Sequence, residues 1–385
     1  MVRRAGDTRV NERRIRVVIV DDSAFMRRAL ARMLENEPGL EVAGTANSGE
    51  EAIERVALLR PDVVTMDVEM PGIGGLEAVR AIMRTHPTPI IMISAVTREG
   101  AEETLRALEL GAMDFIPKPT AAYMDILKVA RDLVAKLRAV GGTKLMPPPR
   151  GPAAAPAALR TPSAVAPRPP APAPPLTVPS PIWHTGRDAY EIVTLGTSTG
   201  GPVALSQVVP ALPADLPVPL VVVQHMPPGF TRPLAERLNA ASHLRVVEGE
   251  EGLPLRPGMA VIAPAGRQLA FGRGEGGWVC RLFIEPAGHS LHVPSVDHMM
   301  TSAASCFGGR SVGVIMTGMG QDGLEGLKRI KAAGGYVVGQ DEATCVVYGM
   351  PRAAALAGVV DRVVSLNGVA GAIVDALAGP PPSTV

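Results

Sequence analysis

The sequence is poor in cysteine, in aromatic residues, in net charge and in long apolar runs, and each shortage excludes a class of protein. Three cysteines, Cys280, Cys306 and Cys345, show no CxxC spacing, and an odd number cannot close a disulfide framework. A reducing compartment, the cytoplasm, is therefore expected. Aromatics at 3% leave few rings for a base-stacking platform, and Lys+Arg 38 against Asp+Glu 37 leaves no global field to gather nucleic acid. No stretch approaches the ~18 uninterrupted apolar residues of a membrane span, so no direct membrane insertion is expected. The arginine-rich start, Arg3 to Arg16, is followed only by Val17 to Val20, too short for a signal-peptide core.

Hydrophobic residues, by contrast, make up 46% of the chain, and its 38 prolines in 385 residues are about twice the usual frequency. At ~100 to 200 residues per domain the length implies two or three domains. Fourteen of the prolines fall within residues 147–182, interleaved with alanine. Such a stretch propagates neither a helix nor a strand ladder and reads as an extended tether. The expected division is a folded unit over 15–138, a Pro/Ala-rich linker over 139–187 and a second folded unit over 188–378.

Both units read as α/β. In the first, the apolar runs Val17 to Val20, Val63 to Met66 and Ile90 to Ile93 alternate with amphipathic stretches at Ser23 to Asn36, Gly49 to Leu59 and Gly75 to Thr85. This βαβα order predicts a parallel sheet covered on both faces. The second repeats the pattern with strands expected at Ile192 to Leu195, Leu220 to Val223, Val312 to Met316 and Tyr336 to Val338. Met259 to Ala263 and Gln268 to Phe271 read as a short antiparallel excursion.

Asp21 and Asp22 directly follow the first strand and Asp67 follows the run Val63 to Met66. In an open parallel sheet the carboxyl ends of neighbouring strands share an edge, so these carboxylates should converge. Clustered oxygens of this kind suit Mg²⁺. Ser94 ends the next strand and Lys118 ends another, so that a hydroxyl, an ammonium and a cation would surround one carboxylate, as phosphoryl acceptance requires. Residues 15–138 resemble a response-regulator receiver domain, a (βα)5 fold, through VDDS (20–23), MDVEMPG (66–72), ISA (93–95) and GAMDFIPKP (111–119). The resemblance implies Asp67 as phosphoacceptor, Mg²⁺ held by Asp21, Asp22, Asp67 and the Glu69 backbone carbonyl, Ser94 and Lys118 against the phosphoryl group, and Phe115 as the switch aromatic. A histidine kinase would be the phosphodonor.

In the second unit Ile192 to Leu195 runs into Gly196-Thr197-Ser198-Thr199-Gly200-Gly201-Pro202 and then a helical stretch. A dinucleotide fingerprint would need Gly where Ser198 stands, and the next strand ends in Gln224-His225 rather than an acidic residue. As a nucleophile turn the loop matches GxSxG. His225 and Asp322 are each expected just past a strand on the same sheet edge, which would bring Ser, His and Asp together. Their chain order differs from that of α/β-hydrolases. His289 and His292 complete no metal-ligand spacing and read as loop histidines, like His86, His184, His243 and His298. Cys345 reads as a small buried side chain with no adjacent base.

From about residue 190 to 377 the chain resembles the CheB-type protein-glutamate methylesterases of bacterial chemotaxis, through GTSTGG, QHMPPGFT, PSVD (294–297), GVIMTGMGQDG and CVVYGMP. By that resemblance the second unit is a doubly wound, mainly parallel methylesterase domain without a cofactor. Ser198 would be the nucleophile, His225 the general base then acid, Asp322 the orienting carboxylate, and the backbone N–H groups of Met319 and Thr199 the oxyanion donors. Methyl-accepting chemoreceptors would be the substrates. Two departures stand out: Thr197 where relatives often carry Ala, and HSLHV before Pro294 where the family is usually basic. Two further readings remain beside the esterase: a phosphorylation-dependent receptor-binding module without turnover, and a DNA-binding regulator, which the near-zero charge and lack of a basic helix-turn-helix segment disfavour.

Overall fold

The computed structural model describes residues 13–118, 123–141, 143, 183, 189–286 and 290–379. The proline-rich stretch 147–182, His184, His289 and Pro119 lie outside them. Among the described residues the chain forms two parallel sheets, each wrapped by helices.

The first unit runs β1 (Ile15–Val20), α1 (Ala24–Glu35), β2 (Leu40–Ala46), α2 (Gly49–Leu59), β3 (Val63–Asp67), α3 (Gly74–Thr85), β4 (Ile90–Ser94), α4 (Arg98–Glu109), β5 (Asp114–Pro117) and α5 (Tyr123–Val140). The strand order is β2-β1-β3-β4-β5, all parallel. Val17 to Val20 are fully buried because helices cover both faces, which is why the run is continuously apolar rather than alternating. Hydroxyl caps start three of these helices: Ser23 accepts from the Met26 N–H, Ser48 from Glu51 and Thr97 from Gly100. Glu51 also reaches back to the Asn47 N–H at 2.9 Å, so two donors at the start of α2 are satisfied.

The second unit runs β6 (Ile192–Thr197), α6 (Gly201–Val208), β7 (Leu220–Gln224), α7 (Thr231–Ala241), β8 (Arg245–Glu248), β9 (Met259–Ile262), β10 (Gln268–Gly274), β11 (Gly277–Phe283), α8 (Val296–Phe307), β12 (Ser311–Ile315), α9 (Leu324–Ala332), β13 (Tyr336–Gln340), α10 (Met350–Leu356), β14 (Arg362–Val364) and α11 (Val369–Ala378). Its seven-stranded sheet has the order β14-β13-β12-β6-β7-β9-β8, and every pairing in it is parallel.

The expected antiparallel excursion was misplaced. Met259 to Ile262 belongs to the main sheet, parallel to both β7 and β8, and its four buried side chains are covered on both faces. The antiparallel pair is β10 with β11, joined through Glu275-Gly276, where Gly276 at φ +86° makes the tight turn.

The units meet through α4 and β5 of the first and α6 and α7 of the second. Arg98 pairs with Glu236 at 3.4 Å, and Arg237 bonds Glu109 through Nε at 2.7 Å. The Phe115 ring on β5 lies 4.5 Å from that of Phe230, which caps α7. Among the described residues no helix is long and apolar enough to cross a membrane.

Candidate active site

β6 is the strand from which the second sheet grows both ways: the chain continues to β7 on one side and returns as β12 on the other. Ligands and chemistry collect outside the carboxyl ends of strands at such a reversal. Thr197 is registered with Gln224, and Gly196 with Ile315, so the residues that follow all three strands emerge at one level. Ser198 and His225 are the first of them, and Asp322 lies in the loop that leads from β12 to α9.

The Ser198 loop is held from both sides. The Ser198 N–H donates to the Thr317 carbonyl at 3.0 Å, and Gln224 Nε2 donates to the Ser198 carbonyl at 2.9 Å. The Thr197 hydroxyl donates to the Thr317 carbonyl at 2.8 Å, and Thr317 Oγ1 returns a bond to the Thr199 carbonyl at 2.9 Å. Thr197 thus ties β6 to the loop after β12. At Gly201 a Cβ would stand 1.9 Å from Gln224 Oε1, so a side chain there would displace the amide that holds the Ser198 carbonyl. Among the described residues no group accepts from the backbone N–H of Thr199 or Met319. Two unengaged donors near a serine are what a developing oxyanion needs.

His225 Nε2 lies 2.7 Å from Asp322 Oδ2, and Nδ1 is buried with no hydrogen-bond partner. The imidazole therefore meets the carboxylate through Nε2 and leaves Nδ1 for a hydroxyl. Asp322 gathers three more donors: the Ser295 hydroxyl at 2.9 Å, the Val296 N–H at 2.8 Å and the Asp297 N–H at 3.0 Å. These come from the cap and first turn of α8, where the helix dipole also favours an anion. Burial alone would raise the Asp322 carboxyl, but the His225 bond and the two backbone N–H groups hold it well below the usual carboxylate range. Asp297 moves the other way, raised by its burial and by the charge of Asp322 in spite of the Gly326 N–H it accepts.

The first sheet carries a second cluster. Asp21, Asp22 and Asp67 each present a carboxylate oxygen within 4.8 Å of the others. Lys118 Nζ donates to Asp67 Oδ2 at 2.7 Å, and Asp67 Oδ1 accepts weakly from the Glu69 N–H at 3.3 Å. Burial raises the Asp67 carboxyl against the pull of Lys118. Burial and the neighbouring Asp67 push Asp21 up to about 6, and its Oδ2 is buried without a hydrogen-bond partner. An orphaned buried oxygen among three carboxylates fits a hard divalent cation. The Ser94 hydroxyl, fully buried, is turned onto the carbonyls of Ala95 and Gly100.

Two family models match: CheB methylesterase over residues 193–373 and response regulator receiver domain over 17–129. The protein-glutamate methylesterase/protein-glutamine glutaminase 1 of Oleidesulfovibrio alaskensis is 45% identical over 371 residues, covering 94% of this chain and 99% of that protein. The corresponding protein of Alkalilimnicola ehrlichii is 44% identical over 92% of this chain and 98% of its own length. The chain belongs to the CheB methylesterase family. The crystal structure of the Thermotoga maritima CheB methylesterase catalytic domain is 38% identical, covers 49% of this chain and 98% of that one, and superposes with a TM-score of 0.47.

In this CheB-family chain the structure brings the expected serine, histidine and aspartate to one sheet edge and the three receiver carboxylates to another. Sequence reasoning missed two groups. Ser295, Val296 and Asp297, which seat Asp322, carried a visible helix-cap pattern, but nothing local says which carboxylate the cap receives. His292 was read as a loop histidine. It does lie in a loop, but its ring also stacks on that of His225, with centroids 4.0 Å apart and planes 10° from parallel. Cys345 is only half-buried, yet burial and nearby Asp341 push its thiol up to about 12, away from the thiolate form.

Proposed function

We propose that the protein hydrolyses glutamate γ-methyl esters on chemoreceptors, with residues 188–378 as the catalytic domain, 139–187 as a tether and 15–138 as a phosphorylation-controlled receiver. The 2.7 Å bond between His225 and Asp322, one register step from Ser198, carries this reading. Ser198 Oγ attacks the γ-carbonyl while His225 Nδ1 takes its proton. Asp322, ionised throughout, holds the imidazole and offsets the charge it acquires. The backbone N–H groups of Met319 and Thr199 receive the oxyanion. His225 then returns the proton to the departing methoxide, and methanol leaves. Water, deprotonated by the same histidine, cleaves the acyl-enzyme to release the glutamate side chain. A glutamine side chain forms the same acyl intermediate and releases ammonia, which accounts for deamidation as a companion activity.

Control enters at Asp67, which takes a phosphoryl group from a chemotaxis-type histidine kinase. Asp21, Asp22, Asp67 and the Glu69 carbonyl would hold Mg²⁺, which when bound neutralises charge on the transferring group. Lys118 is already in place to contact that group, and Ser94 reaches it by leaving the Ala95 and Gly100 carbonyls. The contact between Phe115 and Phe230 supports a route to the active site, because Phe230 closes the loop that begins at His225. With the unphosphorylated receiver docked on that loop, activity is held low, and phosphorylation shifts the population toward an open arrangement. The free cysteines accord with a cytoplasmic enzyme.

Ser198→Ala should abolish methanol release from methylated receptor membranes while leaving phosphorylation of Asp67 intact. Wild-type turnover in that variant overturns the assignment.

A further inference from the structure

We propose that His292 is a positioning residue for the general base: its imidazole, stacked flat on that of His225, fixes the ring plane in which Nε2 meets Asp322 and Nδ1 is offered to Ser198. The proposal rests on the triad reading above and adds to it a residue outside the triad.

A single hydrogen bond pins one point of an imidazole. The bond from Nε2 to Asp322 leaves the ring free to swing about its Cβ–Cγ axis, and that swing carries Nδ1 out of line with the serine hydroxyl. A second constraint has to act on the ring face, and His292 supplies it at a centroid distance of 4.0 Å with the planes only 10° from parallel.

His292 is itself firmly carried. Gln268, fully buried at the start of β10, donates from Nε2 to the His292 carbonyl at 3.2 Å and to Glu285 Oε2 at 2.9 Å, while its Oε1 accepts from the Ser295 N–H at 2.7 Å. The Gly266 N–H holds the intervening Val293 carbonyl at 3.1 Å. One buried amide therefore grips the segment on both sides. Its two ends address the base from different directions: His292 on the face of His225, and Ser295 on the carboxylate at the ring edge. The adjoining Leu291 is 93% exposed and takes no part in this packing.

The test compares the full chain with His292→Ala, His292→Leu and His292→Phe, using Leu291→Ala as a control. Two rates are read for each: turnover of methylated receptor membranes, resolved into kcat and KM, and labelling of Ser198 by a small fluorophosphonate, which needs no receptor docking. A ring misaligned by a fraction of an ångström should lower kcat by up to about 10²-fold with KM unchanged, and labelling should slow in proportion. His292→Leu fills the space without a flat ring and should resemble His292→Ala. His292→Phe keeps the flat ring and should recover most of the rate, and Leu291→Ala should match the wild type.

Equal labelling of wild type and His292→Ala, or a defect confined to KM, overturns the proposal. So does a His292→Phe variant as slow as His292→Ala, since the imidazole's own proton chemistry would then be the active property. Failure of the triad reading looks different: the wild type itself would not label at Ser198.

Discussion

The two carboxylate sites of this chain stand on the same kind of ground and are built in opposite senses. Both lie at the carboxyl edge of a parallel sheet, where strand ends converge. In the receiver, Asp21 is buried with an oxygen left without a hydrogen bond, beside two more carboxylates. In the esterase, Asp322, its side chain 10% exposed, has four donors on its two oxygens. One carboxyl is pushed up to about 6 and the other held far down. A buried acid short of donors waits for a cation or a proton, whereas a buried acid with a full set of donors serves as a fixed negative charge. Donor count, more than burial, separates a site that changes state from one that must not.

The same substitution should therefore act with opposite sign at the two positions. Asp322→Asn removes the anion that orients and offsets the His225 imidazolium, and should lower kcat by about 10⁴-fold. It should also destabilise the catalytic domain by about 3 kcal/mol, because the α8 donors lose their anionic acceptor. That stabilisation belongs to a depressed carboxyl, so it is present above the unfolded pKa and fades as the pH falls through the folded one. Thermal melts of the two proteins should thus differ most near neutrality and converge in acid. A constant difference at every pH would show that the carboxylate's charge is not what stabilises the site.

Asp21→Asn should instead raise the melting temperature of the receiver in metal-free buffer at neutral pH, while abolishing any rise on adding Mg²⁺. Here the sign runs the other way. A carboxyl raised in the folded state favours the fold below its unfolded pKa, and that advantage is lost as the pH rises through about 6. The metal-free wild-type receiver should accordingly lose stability between about pH 4 and pH 6 relative to the variant. Scanning calorimetry with and without Mg²⁺ reads both effects. A variant less stable than the wild type in metal-free buffer would mean that Asp21 has donors the geometry does not reveal.

Much of this contrast was legible in the sequence. Asp21, Asp67, Ser198, His225 and Asp322 each follow an apolar run, and a parallel sheet turns that position in the chain into a shared edge in space. The helix starts at Ser23 and Ser48 could likewise be read from single residues. The rest depended on contacts between distant segments. β9 looked like half of a hairpin because its partner β8 is only four residues long and carries little pattern of its own. β11, the true partner of β10, follows the Glu275-Gly276 turn and was not read as a strand at all. His292 gave no local signal at all, since its meaning lies in the face of a ring in the distant loop after β7.

The contact between the two units allows a finer test of how one site speaks to the other. Arg237 on α7 pairs with Glu109 on α4, and the two side chains are partly exposed. A pair of this kind contributes about 0 to 1 kcal/mol, so breaking it should shift the closed population by no more than about five-fold. Arg237→Glu sets two carboxylates against each other and should raise the turnover of the unphosphorylated full chain within that range. The phosphorylated enzyme, already open, should barely change. Adding Glu109→Arg restores the attraction with the charges exchanged and should return basal turnover toward the wild type. The exchange is informative because it separates docking from chemistry: both residues lie outside the triad, so an effect that reverses in the double variant must come from the interface. Basal turnover that stays high in the double variant would place the change within α7 itself, and the receiver's hold on the His225 loop would then rest on the remaining contacts, Phe115–Phe230 and Arg98–Glu236 among them.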